Sequence, residues 1–236
     1  MSATPLFSAV VLAFGLTQLA TASSMDPAPA SPSVAEVRAT LASMPRGDAR
    51  RGKALNRSLM CASCHGDDGI APTQNWQSLA GQRAAYTYKS LLDYQTGKRL
   101  ENPRATLMRV AVVGMSRQDM ADVAAYYASL PAKAVPTPTL DKAARAHADR
   151  LARRGDPARL ITPCASCHGA AGQGGVNETP ALAGQSVGSF VRTLHDYRDG
   201  KRVTDANRGM RQFAERLTPA EIDALAAYYA GMGRAR

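Results

Sequence analysis

Apolar residues recur at helical spacing in the stretch that closes the first half of the chain. Met120, Val123 and Tyr127 lie three or four residues apart, which is the spacing of one face of an α-helix. Ser116 and Asp119 precede them as a capping box, in which each side chain accepts a hydrogen bond from a free backbone N–H at the helix start. The pattern therefore predicts a helix that begins after Ser116.

The second half of the chain closes in the same way. Thr218 and Glu221 form another capping box, with Pro219 at the first helical position, where proline loses no hydrogen bond. The pentapeptide Ala-Ala-Tyr-Tyr-Ala occurs in both closing helices, at 124–128 and 226–230. An alternating strand pattern does not stand out anywhere, so the sequence predicts an all-α fold.

A repeated hexapeptide organises the chain. Cys-Ala-Ser-Cys-His-Gly occupies residues 61–66 and occurs again at 164–169, 103 residues later. Shorter segments return at the same shift: Leu-Ala-Gly-Gln at 79–82 and 182–185, Asp-Tyr at 93–94 and 196–197, and Gly-Lys-Arg at 97–99 and 200–202. A repeat of this length in a chain of 236 residues predicts two small domains in tandem.

The segments outside the repeats suggest the domain boundaries. Residues 5–22 are mostly apolar and end in Ala20-Thr21-Ala22, as at a signal-peptidase site, although no lysine or arginine precedes Arg38. We predict a signal peptide at 1–22, with an uncleaved anchor as the alternative; a flexible leader at 23–45, with a short helix at 34–43; a first domain at 46–130; a proline-rich linker at 131–140; and a second domain at 141–234.

The two hexapeptides account for all four cysteines of the chain. Residues three apart on a helical turn share a face, so each cysteine pair can form two thioethers to the vinyl groups of one haem. The histidine that follows is then the proximal axial ligand. We therefore expect two covalently bound haem c groups, attached at Cys61 and Cys64 and at Cys164 and Cys167, with iron bound by His65 and His168. Zinc and a redox dithiol are the alternatives for such a spacing.

The repeat also selects a sixth ligand for each iron. Met108 and Met210 each lie eight residues before a helix cap, and each is followed by an arginine. The other methionines compared, Met60, Met115 and Met120, have no methionine at their counterparts and are expected in the core or a loop. A thioether opposite histidine raises the reduction potential. His195 is expected on a helix face and His147 in solvent.

The net charge of the chain limits the kinds of partner that it can bind. The formal net charge is +10, but the basic residues are scattered, without an arginine-rich run or a nucleic-acid motif. A solvated basic surface and a redox protein with an acidic docking surface both fit this pattern. Nucleic acid is not an expected partner, whereas membrane association through the partner or an uncleaved N-terminus is an open alternative.

Residues 46–234 resemble the dihaem cytochrome c4 family, which has two class I cytochrome c domains in tandem. The resemblance lies in both hexapeptides, in the Leu-Ala-Gly-Gln segments, in the methionine–arginine pairs and in the closing helices with their tyrosines. It implies that each domain wraps round its haem and that Met108 and Met210 complete the iron coordination. One departure is Gln77, which replaces an expected proline, while Pro180 stands at the matching place in the second half.

The resemblance implies a periplasmic or membrane-associated electron carrier between respiratory donors and a terminal oxidase or reductase. An electron-entry subunit of a periplasmic dehydrogenase complex shares the same site chemistry and is an alternative. A dihaem enzyme, such as a thiosulfate dehydrogenase, is a further one. Such enzymes need an open or unusual iron ligand, commonly cysteine or a second histidine, and this chain has no spare cysteine. We also expect each proximal histidine to donate its ring N–H to a backbone carbonyl, near Thr179 and Pro180 in the second domain.

Overall fold

The computed structural model of the chain describes Met1 and residues 31–233. Within this part of the chain, the α-helices are α1 (Val34–Ala42), α2 (Ala49–Ser58), α3 (Ala62–His65), α4 (Ala84–Gln95), α5 (Pro103–Val112), α6 (Arg117–Ser129), α7 (Lys142–Arg154), α8 (Cys164–His168), α9 (Val187–Arg198), α10 (Arg211–Ala214) and α11 (Pro219–Ala230). Residues 31–233 contain no β-strand, and a single antiparallel bridge joins Asp156 to Ile161. The all-α prediction is confirmed.

Two separate hydrophobic cores follow one another along the chain. The first is built on α4, α5 and α6, with Tyr88 and Met120 fully buried at its centre. The second is built on α7, α9 and α11, with Leu151 and Ile222 almost fully buried. Helix α2 packs against α6, and α7 against α11, so the helix before each hexapeptide contacts the closing helix of its own half.

The sequence signals at the helix ends correspond to real caps. Ser116 and Asp119 form a complete capping box at α6, and Thr218 and Glu221 form one at α11. Helix α4 ends at Gln95, two residues before Gly97, which adopts φ +74°. These caps satisfy backbone N–H groups that a helix start otherwise leaves free.

A reciprocal glutamine contact joins the two halves. The amide of Gln82 donates to the carbonyl oxygen of Ala181 at 3.0 Å and accepts from the N–H of Ala181 at 2.8 Å. Gln185 donates to the carbonyl oxygen of Ser78 at 2.8 Å. Gln82 and Gln185 are repeat counterparts, as are Ser78 and Ala181. All four are buried. Equivalent residues of the two halves therefore form the contact between them.

The N-terminal region agrees with the sequence where the structure describes it. The short helix predicted at 34–43 is α1, with a capping box made by Ser33 and Glu36. The predicted signal peptide at 1–22, apart from Met1, lies outside the described residues. Among the helices that the structure describes, none combines the length and the apolar character needed to cross a membrane.

Candidate functional site

Each hexapeptide forms a short helix that ends at its glycine. In α3 and α8 the cysteine pair lies on one helical turn, and the histidine is the last helical residue. Gly66 follows with φ +78° and Gly169 with φ +82°. A Cβ on Gly66 would lie 2.2 Å from the carbonyl oxygen of Ile70, so both conformation and space require glycine. This turn holds the histidine in a fixed orientation.

Both histidines are buried, and a backbone carbonyl fixes the orientation of each ring. His65 Nδ1 lies 2.8 Å from the carbonyl oxygen of Gln77, and His168 Nδ1 lies 2.9 Å from that of Pro180. Nδ1–H is the donor in each pair, which leaves the Nε2 lone pair free for a metal. Burial lowers the pKa of both imidazoles, more than these hydrogen bonds raise it. The expected carbonyl partners are confirmed, and Gln77 serves as well as proline.

The predicted site residues of the second half line a large cavity, to which first-half residues such as Gln82 and Tyr86 also contribute. The cavity has a volume of about 580 Å³, and Cys164, Cys167, His168 and Met210 line it. This volume lies in the range of sites that enclose a cofactor. Its wall is mainly apolar and includes Phe190, as an enclosed porphyrin requires.

The first half has a much narrower crevice of about 40 Å³, which His65 and Met108 line together with Trp76. The Trp76 ring meets the His65 ring edge-on, with centroids 6.4 Å apart. His65 Nε2 is buried without a hydrogen-bond partner among the described residues. Such a nitrogen is costly unless it has a ligand, and iron coordination is the use that fits the donor.

The two predicted methionine ligands sit on different local structures. Met108 lies within the ten-residue helix α5, which Asn102 caps. Met210 precedes the four-residue helix α10 and follows a 3-10 turn at Ala206–Arg208. Met108 follows Arg99 by nine positions, whereas Met210 follows Arg202 by eight, so the second copy is one residue shorter here. This segment forms a 3-10 turn and a four-residue helix in place of one ten-residue helix.

Two arginines that the sequence analysis left without a role line the same cavities. Arg99 lines the crevice of His65, and its counterpart Arg202 lines the cavity of His168. Each guanidinium stacks on a tyrosine ring, with Arg99 4.1 Å from the Tyr94 centroid and Arg202 4.6 Å from the Tyr197 centroid. The repeated Gly-Lys-Arg segment was the signal that could have revealed them.

These arginines leave surplus positive charge in the buried wall. Arg99 pairs with the buried Glu101 through Nε and Nη2, but Arg99 Nη1 and both Nε and Nη1 of Arg202 have no hydrogen-bond partner among the described residues. Burial would raise the pKa of Tyr86, but the charges of Arg202 and Arg99 outweigh it and lower that pKa to about 8. Unpartnered guanidinium donors fit carboxylates, and haem carries two of them as propionates. The residues present therefore fit the cofactor.

The remaining candidate residues lie outside the cavities. His195 lies on α9, as predicted. The expectation for His147 was wrong, because it is half-buried and its Nε2 lies 2.7 Å from Oε1 of Glu221. Met115 and Met120 are in the first core, whereas Met60 is exposed.

The alternative of a zinc site shared by the four cysteines finds no support in the geometry. Within the part of the chain that the structure describes, no three side chains among His, Cys, Asp and Glu converge as metal ligands. The two cysteine pairs instead belong to separate halves, each next to its own core.

Comparisons with known proteins agree with this arrangement. A family model described as "Cytochrome c" matches residues 49–131 and 158–232. The "Thiosulfate dehydrogenase electron acceptor" of Stutzerimonas stutzeri strain A1501 is 35% identical over 185 residues, which cover 78% of this chain and 84% of that protein. The "Cytochrome c4" of Pseudomonas aeruginosa is 33% identical over 188 residues, which cover 79% of this chain and 89% of that protein.

A solved structure is similar over both halves. The crystal structure of reduced recombinant cytochrome c4 from Pseudomonas stutzeri superposes on this chain with a TM-score of 0.69 and 31% sequence identity. The match covers 79% of this chain and 99% of the cytochrome c4 chain. Residues 31–46 of this chain precede the first segment that the family model matches.

Proposed function

We propose that this chain, which belongs to the dihaem cytochrome c4 family, carries electrons without catalysing a reaction of its own. It contains two tandem cytochrome c domains and two covalently bound haem c groups. We also propose that the protein works in the periplasm.

The residues of each cavity have distinct roles in this proposal. Bound haem supplies one-electron chemistry at its iron. The two cysteines of each hexapeptide hold the group covalently, and the histidine offers Nε2 from a ring fixed by its backbone carbonyl. Arg99 and Arg202 would pair with the propionate carboxylates. The thioethers of Met108 and Met210 favour ferrous iron and so raise the reduction potential.

The observation that supports the carrier function most strongly is that each cavity brings together one histidine and one methionine. His65 and Met108 line one cavity, and His168 and Met210 line the other. These residues would hold each iron on both sides with protein atoms, and the haem would supply one-electron chemistry with no position left for a substrate. A fixed ligand set of this kind suits electron transfer rather than catalysis.

The ligand set can be tested by comparing the unmodified protein with Met108→Ala and Met210→Ala, by ferric-state spectroscopy and by NMR of the reduced protein. We expect two His/Met signatures in the unmodified protein, with one lost in each variant. The affected haem should bind carbon monoxide, and its potential should fall by on the order of 0.1 V, well inside the range of about 0.8 V that axial ligands span.

Met115→Leu is the matched control, because Met115 is a buried core residue and should leave both signatures intact. A high-spin or His/His centre in the unmodified protein would contradict the proposal.

The proposed partner is a redox enzyme with an acidic docking surface that donates electrons to this chain. The net charge of +10 supports an acidic partner. One relative is named as the electron acceptor of thiosulfate dehydrogenase, which supports an oxidising enzyme as the electron donor. A lasting subunit of a dehydrogenase complex is the second candidate, and a partner that co-purifies at high salt would favour it.

A further inference from the structure

Residues 31–46, here called the N-terminal strap, connect the second half of the chain to the first. At one end, the carbonyl oxygen of Pro32 accepts from the N–H of Asn207 at 2.9 Å. Ser31 Oγ accepts from Nη2 of Arg211, and Val34 lines the cavity of His168 and Met210. The strap therefore contacts the segment on either side of Met210.

The other end of the strap is fixed to the first half. Val37 is buried, and Leu41 and Met44 pack against the first core. The carbonyl oxygen of Arg46 accepts from the side-chain amide of Gln118 at 3.0 Å. The strap is thus anchored independently of the segment that it contacts, as a support must be.

The segment that carries Met210 has little regular structure of its own. Asn207 and Arg208 adopt φ +48° and +58°, a region that residues other than glycine seldom occupy. Asp205 Oδ2 accepts from the backbone N–H of Met210 at 3.1 Å and from that of Arg211 at 2.9 Å. These bonds to Asp205 hold the Met210 backbone in place.

The strap joins this network through Arg211. Arg211 Nε donates to Asp205 Oδ1 at 2.9 Å, and both side chains are buried. Because Arg211 also donates to Ser31, a continuous chain of contacts runs from the strap through Arg211 and Asp205 to the backbone of Met210. Among the described residues the first half shows no equivalent, since Met108 lies within a capped ten-residue helix and Arg109, the counterpart of Arg211, is exposed.

We infer that the N-terminal strap positions Met210 and keeps other ligands away from the second iron, while the first iron needs no such support. The inference rests on the proposed role of Met210 as an axial ligand. It assigns a function to a segment that lies before the first residue matched by the cytochrome c family model.

The test uses the full chain with both haems attached and the combined variant Ser31→Ala, Pro32→Gly and Val34→Gly. Ser31→Ala removes the hydroxyl that accepts from Arg211, and Val34→Gly removes the side chain that lines the cavity. Pro32→Gly keeps the carbonyl oxygen that accepts from Asn207 but frees the backbone that presents it, and Ser33, the cap of α1, is unchanged. The measurement is the rate at which imidazole replaces methionine at each ferric haem, followed by NMR. We expect the rate at the second haem to rise about tenfold, the ratio expected for loss of one hydrogen bond to a charged group, and the rate at the first haem to stay constant.

Two control variants separate a loss of Met210 positioning from a general loss of protein stability. Gln118→Ala removes one hydrogen bond at the far end of the strap, which Val37, Leu41 and Met44 still anchor. It should change neither rate more than about twofold, a difference well under the tenfold ratio of a lost bond. Ser31→Thr keeps the hydroxyl group and should retain the unmodified rate at the second haem.

Equal acceleration at both haems, or no acceleration at the second, would overturn the role of the strap while leaving the carrier function intact. If the unmodified protein lacks a methionine signal at the second haem, the ligand assignment itself fails, and the inference fails with it.

Discussion

Glu221 combines a structural cap with a buried ion cluster. Its carboxylate accepts from the backbone N–H of Thr218 at 2.8 Å, from Arg159 Nη2 at 2.7 Å and from His147 Nε2 at 2.7 Å. The hydrogen bond from Arg159 is the largest cause that lowers the pKa of Glu221, to about 2, against the opposing effect of burial. One side chain therefore ties the start of α11 to the segment before the second hexapeptide.

Replacing Glu221 with glutamine should destabilise the second domain in a pH-dependent way. We expect a loss of about 1.5–3 kcal/mol at pH 7, the range for hydrogen bonds to a charged group. The folded pKa lies below the ordinary value of 4.5, so the stabilisation is complete above pH 4.5 and disappears as the pH falls towards 2. Urea unfolding of both proteins at pH 7 and at successive pH values below 4.5 would measure the difference.

Asp199→Asn is a suitable control, because Asp199 forms an exposed pair with Lys201 and such pairs contribute little. A loss for Glu221→Gln that stays constant down to pH 2 would show that the carboxylate charge is not the cause.

The roles of some residues could be predicted from the sequence, whereas those of others could not. The cysteines and histidines were evident because a short motif combines three residue types at fixed spacing. Arg99 and Arg202 were repeated as clearly, but arginine is usually a surface residue, and only the structure shows that both are buried beside the cavities. His147 was misjudged because its partner, Glu221, is 74 residues away along the chain.

Among the helices, α2 and α6 approach each other closely at Gly52. A Cβ on Gly52 would lie 2.0 Å from the carbonyl oxygen of Asp122, which belongs to the backbone of α6 and cannot move alone. The side chain of Asp122 is fully buried and accepts from the N–H of Asp48 at 2.7 Å. The contact therefore fixes both the spacing and the register of the helix that leads to the first hexapeptide.

Gly52→Ala should force α2 and α6 apart and destabilise the first domain by about 1–3 kcal/mol, as overpacking of a filled core does. Denaturant unfolding followed by absorbance of the first haem would measure the change. Gly114→Ala is the matched control, because a Cβ there meets nothing within 4 Å. Equal stability of the two variants would show that the helices adjust without cost.

The helices with clear caps could be predicted from the sequence, whereas the segments bearing the methionines could not. Capping boxes are local, so Ser116 and Thr218 identified their helices directly. The two methionines looked equivalent in the repeat, yet Met108 lies inside α5, whereas Met210 precedes a four-residue helix whose Arg211 contacts Ser31. A contact across 180 positions, as between Ser31 and Arg211, leaves no periodic trace. Their role as ligands stays a prediction.

The two halves of the protein present different surfaces to a partner. Leu107, Val110 and Val113 are 57%, 69% and 65% exposed along one side of α5 and its end. Their counterparts are Gly209, Gln212 and Glu215. An exposed apolar face beside a basic residue such as Arg109 is typical of a protein-binding surface. We therefore expect the electron donor to dock on the first domain.

Val110→Glu should weaken this docking, because it places a carboxylate on the apolar face opposite an acidic partner. Electron uptake from the proposed donor enzyme, tested first with thiosulfate dehydrogenase as the probe and followed by haem absorbance, should slow by roughly tenfold, the effect of about 1.4 kcal/mol. The rate for the unmodified protein should also fall as salt is added.

Gln212→Glu makes the equivalent change on the second domain and should leave the uptake rate unchanged. If the two variants slow the reaction equally, the first domain is not the preferred docking site.

The reciprocal contact of Gln82 and Gln185 is what we expect if the tandem chain arose by fusion of two copies of one domain. A surface that binds a copy of itself through the same residue on both sides is the kind found in a homodimer with a two-fold axis. The polypeptide thus keeps the bonding pattern of a symmetric pair, although its halves now differ in the backbone that carries each methionine. Fusion keeps the two halves in equal numbers and lets them diverge. The first half then presents the proposed docking surface, and the second half packs against the N-terminal strap.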